Sequence, residues 1–254
     1  MTTSIFDSAE FNERLFFPRA DRSRCPAGAK DHFVSVSDGV ALHVRVYDGA
    51  SRRATVLLFH GNGEVVADYD AIAARFHGIG LSLAVCEFRG YGQSTGRPTL
   101  RACITDAPLV LYALRDELAP NRTPLVVFGR SLGGHCAAEI AGRVPALCDA
   151  IVLESAGADP LALLARRGLS LERELSDEER QTFDPRVKLA RCMLPTLVLH
   201  GASDTLIGPH EARANFAAIG SPDKRLVLIE DRGHNDVSLS AQYWAALSTL
   251  GTVL

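Results

Sequence analysis

Ser131 stands between Gly129 and Gly133, directly after the apolar run Leu125, Val126, Val127 and Phe128. A serine hydroxyl is a weak nucleophile and reacts only beside a base, which in turn needs an acid to orient it. The G-x-S-x-G spacing predicts a strand-to-helix turn too tight for side chains at the flanking positions. That turn lifts the hydroxyl above a sheet. The N–H groups that open the next helix then point toward a developing negative charge. The pattern alone recurs by chance; a strand before it, a helix after it and partners downstream make it specific.

In open α/β sheets such partners arrive at the carboxyl ends of strands. Downstream of Ser131, the run 196–199 is followed by a loop carrying Asp204, and the run 225–229 by a loop carrying His234. The order Ser, Asp, His is the one this architecture uses. Glu154 also follows a strand-like run and is the alternative orienting acid; Asp204 is assigned because its loop is the one the motif predicts. An oxyanion hole needs two N–H donors. One is expected from Leu132, and the other from the backbone of Asn62, in the glycine-flanked turn after the run 55–59.

The remaining polar residues read as structural. His60, at a strand end, braces the oxyanion loop; His200 packs at another strand end. His135 lies four residues past Ser131 and projects along its helix rather than over the hydroxyl. Arg130 reads as a partner in an ion pair, although a substrate carboxylate would also suit it. Arg89 shapes a turn, Asp236 steadies a loop or caps the last helix, and Asp231 is solvated. Arg166 and Arg167 are assigned to a solvated helix face, with an anionic substrate as the alternative.

These residues require a scaffold, and the pattern supplies one. Segments 32–37 and 40–47 alternate apolar with polar around Ser37, Asp38 and Gly39, which predicts an antiparallel hairpin. Short continuous apolar runs at 55–59, 81–88, 125–128, 150–153, 196–199 and 225–229 suit parallel strands covered on both faces. Helical stripes lie between them, including Tyr69, Ile72, Ala73 and Phe76, and Leu239, Tyr243, Leu247 and Leu250. Pro108 is expected to kink the helix after Thr99 or to delay its start. From 157 to 194 no strand pattern occurs. Asp159–Pro160, the capping box at Ser176 to Glu179, and Asp184–Pro185 predict a small helical cap there. The fold class is α/β: a mostly parallel central sheet with helices on both faces, an N-terminal hairpin and a helical cap, in one domain over 1–254.

On these pieces the chain resembles the α/β-hydrolase superfamily, and within it the BEM46-like small serine hydrolases. The resemblance rests on His60-Gly61-Asn62-Gly63, the segment from Phe88 to Gly96, Gly129-Arg130-Ser131-Leu132-Gly133-Gly134, Pro195-Thr196 to Asp204, and Gly233-His234-Asn235-Asp236. It implies a triad of Ser131, Asp204 and His234, and hydrolysis of an ester, thioester or amide through an acyl-enzyme. Glu64 departs from the pattern, putting a carboxylate beside the oxyanion loop; it is expected to face water or cap the following helix. A peptidase with the same triad is an alternative, as is a weakly catalytic ligand-binding protein on the same fold.

Composition bounds the partners. The 254 residues are 47% hydrophobic and 22% charged, with a net charge of −3. There is no basic field for nucleic acid or anionic lipid. The N-terminal segment from Met1 to Asp7 has no positive stretch followed by an apolar one, so neither a leader nor a membrane anchor is expected. The six cysteines show no metal-ligand spacing and read as thiols of a cytoplasmic protein. No metal or cofactor is expected, and the partner is a small acyl substrate. Nothing in the sequence speaks to oligomeric state.

Overall fold

The computed structural model describes residues 4–50 and 52–250. Met1 to Thr3, part of the segment on which the leader expectation rests, lie outside them. Eight strands form one sheet: β1 (Ala29–Ser37), β2 (Val40–Tyr47), β3 (Ala54–Phe59), β4 (Leu81–Cys86), β5 (Leu125–Arg130), β6 (Ala150–Glu154), β7 (Thr196–Gly201) and β8 (Lys224–Ile229). Their spatial order is β1-β2-β4-β3-β5-β6-β7-β8. β1 pairs with β2 and β2 with β4 antiparallel, and every later pairing is parallel. The predicted hairpin and all six apolar runs are therefore strands.

The helices are α1 (Ala9–Leu15), α2 (Ala73–Gly78), α3 (Leu100–Leu118), α4 (Gly134–Arg143), α5 (Pro160–Arg166), α6 (Asp177–Phe183), α7 (Pro185–Leu189), α8 (Pro209–Ala218) and α9 (Ala241–Ser248). Successive strand side chains alternate between two apolar layers, as the pleat requires. Leu57, Phe59 and Val127 join α1, α3, α4 and the α5–α7 segment on one face. Val56, Leu58, Val126 and Phe128 join α2 and α9 on the other. β3 through β7 are buried almost throughout, which explains their unbroken apolar runs.

Three local readings are corrected. α3 does not start late; it begins at Leu100, where the Thr99 hydroxyl accepts the Ala102 N–H, and it continues through Pro108. Ten of its residues are buried, and that packing outweighs the hydrogen bond Pro108 cannot donate. Leu239 is exposed and sits in a 3₁₀ turn ahead of α9, so the terminal stripe begins at Tyr243. Tyr69 likewise belongs to a separate turn before α2. The first stretch is also built into the molecule. Ser4 and Ser8 cap a short turn and α1, and Phe6, Phe11 and Leu15 are buried. Phe6 stacks on Phe183 of α6 with ring centroids 4.7 Å apart, tying the N-terminus to the helices between β6 and β7.

Candidate active site

Ser131 follows β5 with φ at +51°, a left-handed conformation that costs a non-glycine residue about 1–3 kcal/mol. The crowding at its flanks is severe. A Cβ on Gly129 would lie 2.5 Å from the Gly133 carbonyl oxygen, and one on Gly133 would lie 2.0 Å from that of Phe59. The sequence spacing thus reflects two positions where backbone meets backbone, and the surrounding packing enforces the strain at Ser131.

β7 and β8 deliver the other two groups. His234 Nε2 lies 3.0 Å from Ser131 Oγ, and Nδ1 lies 2.8 Å from Asp204 Oδ2. The Asp204 carboxylate also accepts the N–H groups of Leu206 and Ile207, each at 2.9 Å. His200 proves more than a packing residue: its Nε2 lies 3.2 Å from Asp204 Oδ2 and 2.7 Å from the Ile207 carbonyl oxygen. Burial works against the charge on Asp204. Hydrogen bonds from His200, His234 and Ile207 outweigh it and hold the carboxyl well below the usual carboxylate range. A second imidazole on the acid is four residues upstream of it in sequence, and that i, i+4 spacing across a strand end is the signal the sequence offered.

The turn expected to supply an oxyanion donor spans Gly61 to Glu64, closed by a hydrogen bond from the Glu64 N–H to the Gly61 carbonyl oxygen at 3.3 Å. Gly63 has φ at +80°, as a type II turn demands at its third position. The Asn62 side chain fixes this turn: Oδ1 accepts the Phe17 N–H at 3.1 Å and the Tyr91 hydroxyl at 2.6 Å, while Nδ2 donates to the Leu15 carbonyl. Among the described residues the Asn62 backbone N–H has no acceptor. Leu132 is the second residue of the helical turn that begins at Ser131, where N–H groups have no partner within the helix. Asn62, Leu132, Ser131 and His234 line one cavity of about 360 Å³.

Glu64 neither faces water nor caps a helix, which corrects the sequence expectation. Oε1 lies 2.5 Å from Arg130 Nη1, and Oε2 accepts the Gly61 N–H at 2.7 Å and the Tyr69 hydroxyl at 2.8 Å. Arg130 also reaches Glu154 at 3.1 Å and Asn235 at 2.9 Å. Burial works against the Arg130 charge, but Glu64 and Glu154 raise its pKa further above an already high value. Glu154, the alternative acid, is occupied by Arg130 and by the Tyr243 hydroxyl at 2.6 Å, whereas Asp204 meets His234. This cluster joins the oxyanion turn, the elbow and the His234 loop behind the cavity.

The remaining assignments sort by contact. His60 is fully buried, with Nδ1 2.6 Å from the Gly61 carbonyl oxygen and its ring against Phe88 and Tyr91; burial lowers its pKa. Arg89 grips Asp106 through two bonds of 2.7 and 2.8 Å, anchoring its turn to α3. Asp236 steadies the His234 loop by accepting the Gly233 N–H at 2.7 Å. Asp231 is exposed. His135 lines the cavity wall, so projecting along α4 still brings it into the site. Burial, and then Lys188, push its imidazole down to about 4, so it stands there neutral. Arg166 pairs with Glu211, and Arg167 also lines the cavity.

The family described as serine aminopeptidase, S33, matches residues 50–190. An uncharacterized protein of Mycobacterium tuberculosis is 30% identical over 238 residues, covering 89% of this chain and 80% of its own length. The bem46 protein of Schizosaccharomyces pombe is 26% identical over 200 residues, 77% of this chain and 66% of its own. Among solved structures, an esterase of Pyrococcus furiosus superposes with a TM-score of 0.74 at 18% identity, covering 94% of this chain and 98% of that one. Esterase 2 of Thermogutta terrifontis, phosphonylated by sarin, gives 0.66 at 22% identity, covering 91% and 96%. At such identities the two structures speak to the fold alone.

Proposed function

Because the chain belongs to the serine aminopeptidase S33 family of α/β-hydrolases, in its BEM46-like branch, we propose that it is a serine hydrolase cleaving a carboxylic ester or thioester. The observation that carries the reading is the single imidazole of His234 set between Ser131 Oγ and Asp204. Ser131 Oγ attacks the carbonyl carbon as His234 Nε2 takes its proton. The N–H groups of Asn62 and Leu132 receive the oxyanion. His234 returns the proton to the leaving group, and water repeats the sequence on the acyl-enzyme. Asp204 holds the imidazole with Nε2 as the proton acceptor and stabilises the imidazolium. No metal or organic cofactor enters this scheme.

The family description favours a second reading, an aminopeptidase. Such an enzyme must hold a protonated α-amine, for which a carboxylate is the natural partner. No aspartate or glutamate lines the cavity among the described residues, and three arginines do. The ester reading is therefore preferred. In a panel of acyl esters and thioesters of increasing chain length beside aminoacyl anilides, kcat/KM for the best ester or thioester should exceed that for any anilide by about 100-fold or more. Anilides cleaved as well as esters would install the peptidase; turnover of none would leave a ligand-binding protein. Cytoplasmic residence belongs to the same proposal. It is supported by six free cysteines.

A further inference from the structure

We infer that the substrate carries an anionic group, a carboxylate or its equivalent, which the guanidinium of Arg167 receives inside the cavity that holds Ser131. This rests on the hydrolase reading and adds a substrate class to it. Three arginines line the cavity. Arg130 is spanned by Glu64 and Glu154, and Arg166 by Glu211. Arg167 alone keeps its charge unmatched. Among the described residues its guanidinium donates to no protein acceptor, and its Nε is buried without a partner.

Its neighbours make the site more demanding. The guanidinium stands 5.5 Å from the centroid of the Phe17 ring, a contact that orients the plane without neutralising it. Burial, and then Arg166, lower the pKa of Arg167, with Tyr91 the lone neighbour raising it. A buried donor without a partner costs roughly 1–3 kcal/mol, more for a charged group. A protein that needed Arg167 only to pack its cap would be served by an uncharged side chain. An incoming carboxylate supplies both the missing acceptor and the missing charge, and Arg presents a fork suited to it. The sequence pattern assigns Arg166 and Arg167 to one solvated helix face; in the structure both line the cavity, Arg166 paired with Glu211 and Arg167 without an acid.

The anion can sit on either half of the substrate, and the test separates the two. The acyl half is probed with 4-nitrophenyl adipate hemiester against 4-nitrophenyl hexanoate. The leaving-group half is probed with 4-acetoxybenzoate against phenyl acetate. For each pair the charged-to-neutral ratio of kcat/KM is measured in the wild type and in R167Q, which cancels intrinsic reactivity. Hydrogen bonds to charged groups are worth enough that R167Q should lower the ratio by about fivefold or more in at least one pair. R167K should recover part of the loss. In the wild type the same ratio should fall between about 0.05 and about 0.5 M salt, a readout independent of any variant's folding. A change below about fivefold in both pairs, with no salt dependence in the wild type, overturns the inference and leaves the hydrolase standing. Failure of the wild type to turn over any of the four esters overturns both.

Discussion

Ser131→Ala should abolish ester turnover, lowering kcat by about 10⁴- to 10⁶-fold while leaving the fold in place. In free-energy terms that is about 5–8 kcal/mol of transition-state stabilisation lost. The size follows from what is removed. In the proposed mechanism, losing Oγ removes the covalent route, and only binding and the N–H groups of Asn62 and Leu132 would still act on the carbonyl. Stability should not suffer, because among the described residues Oγ makes a hydrogen bond with His234 alone. Losing the hydroxyl also leaves the left-handed backbone at position 131 no more strained than before. The measurement is steady-state hydrolysis of a 4-nitrophenyl acyl ester beside thermal unfolding. An intact transition with wild-type turnover would remove Ser131 from the chemistry.

Asp204→Asn should lower kcat by about 10³- to 10⁴-fold with KM little changed. In the proposed mechanism the carboxylate holds the proton of His234 on Nδ1, leaving Nε2 free to accept from Ser131. A carboxamide offers an N–H at the same place and turns the imidazole to the other tautomer, with its proton on Nε2 and no base facing the serine. The Leu206 and Ile207 N–H groups can still find the amide oxygen, so the loop should keep its shape. Glu154→Gln is the matched control. It disturbs the Arg130 cluster behind the cavity but not the Asp204–His234 bond, and it should cost far less activity. If the two variants exchange these effects, the acid is Glu154.

The sequence carried the scaffold because the signals are local. Strands covered on both faces must be apolar throughout, and two glycines must flank Ser131 where backbone meets backbone. That Asp204, His234 and Ser131 would meet was legible because each lies just past an apolar run at the same end of the sheet. What escaped is long-range pairing among charges. Nothing near Glu64 announces that its carboxylate meets Arg130, and nothing at Arg167 announces that it lacks a partner when its neighbour has one. Such facts depend on which loops meet above the sheet. Local rules also failed where packing overrode them: α3 starts at Leu100 with no delay before Pro108, and Leu239 falls in a turn although its spacing extends the stripe of α9.

If His234 and Asp204 make the Ser131 hydroxyl a nucleophile, that serine must react with an electrophile that captures active alcohols. The most direct measurement is the intact mass and peptide map of the protein after treatment with a fluorophosphonate. One adduct, on Ser131, is expected in the wild type, forming far more slowly in Asp204→Asn and not at all in Ser131→Ala. An adduct on another residue, or none under conditions in which the protein hydrolyses esters, would contradict the account.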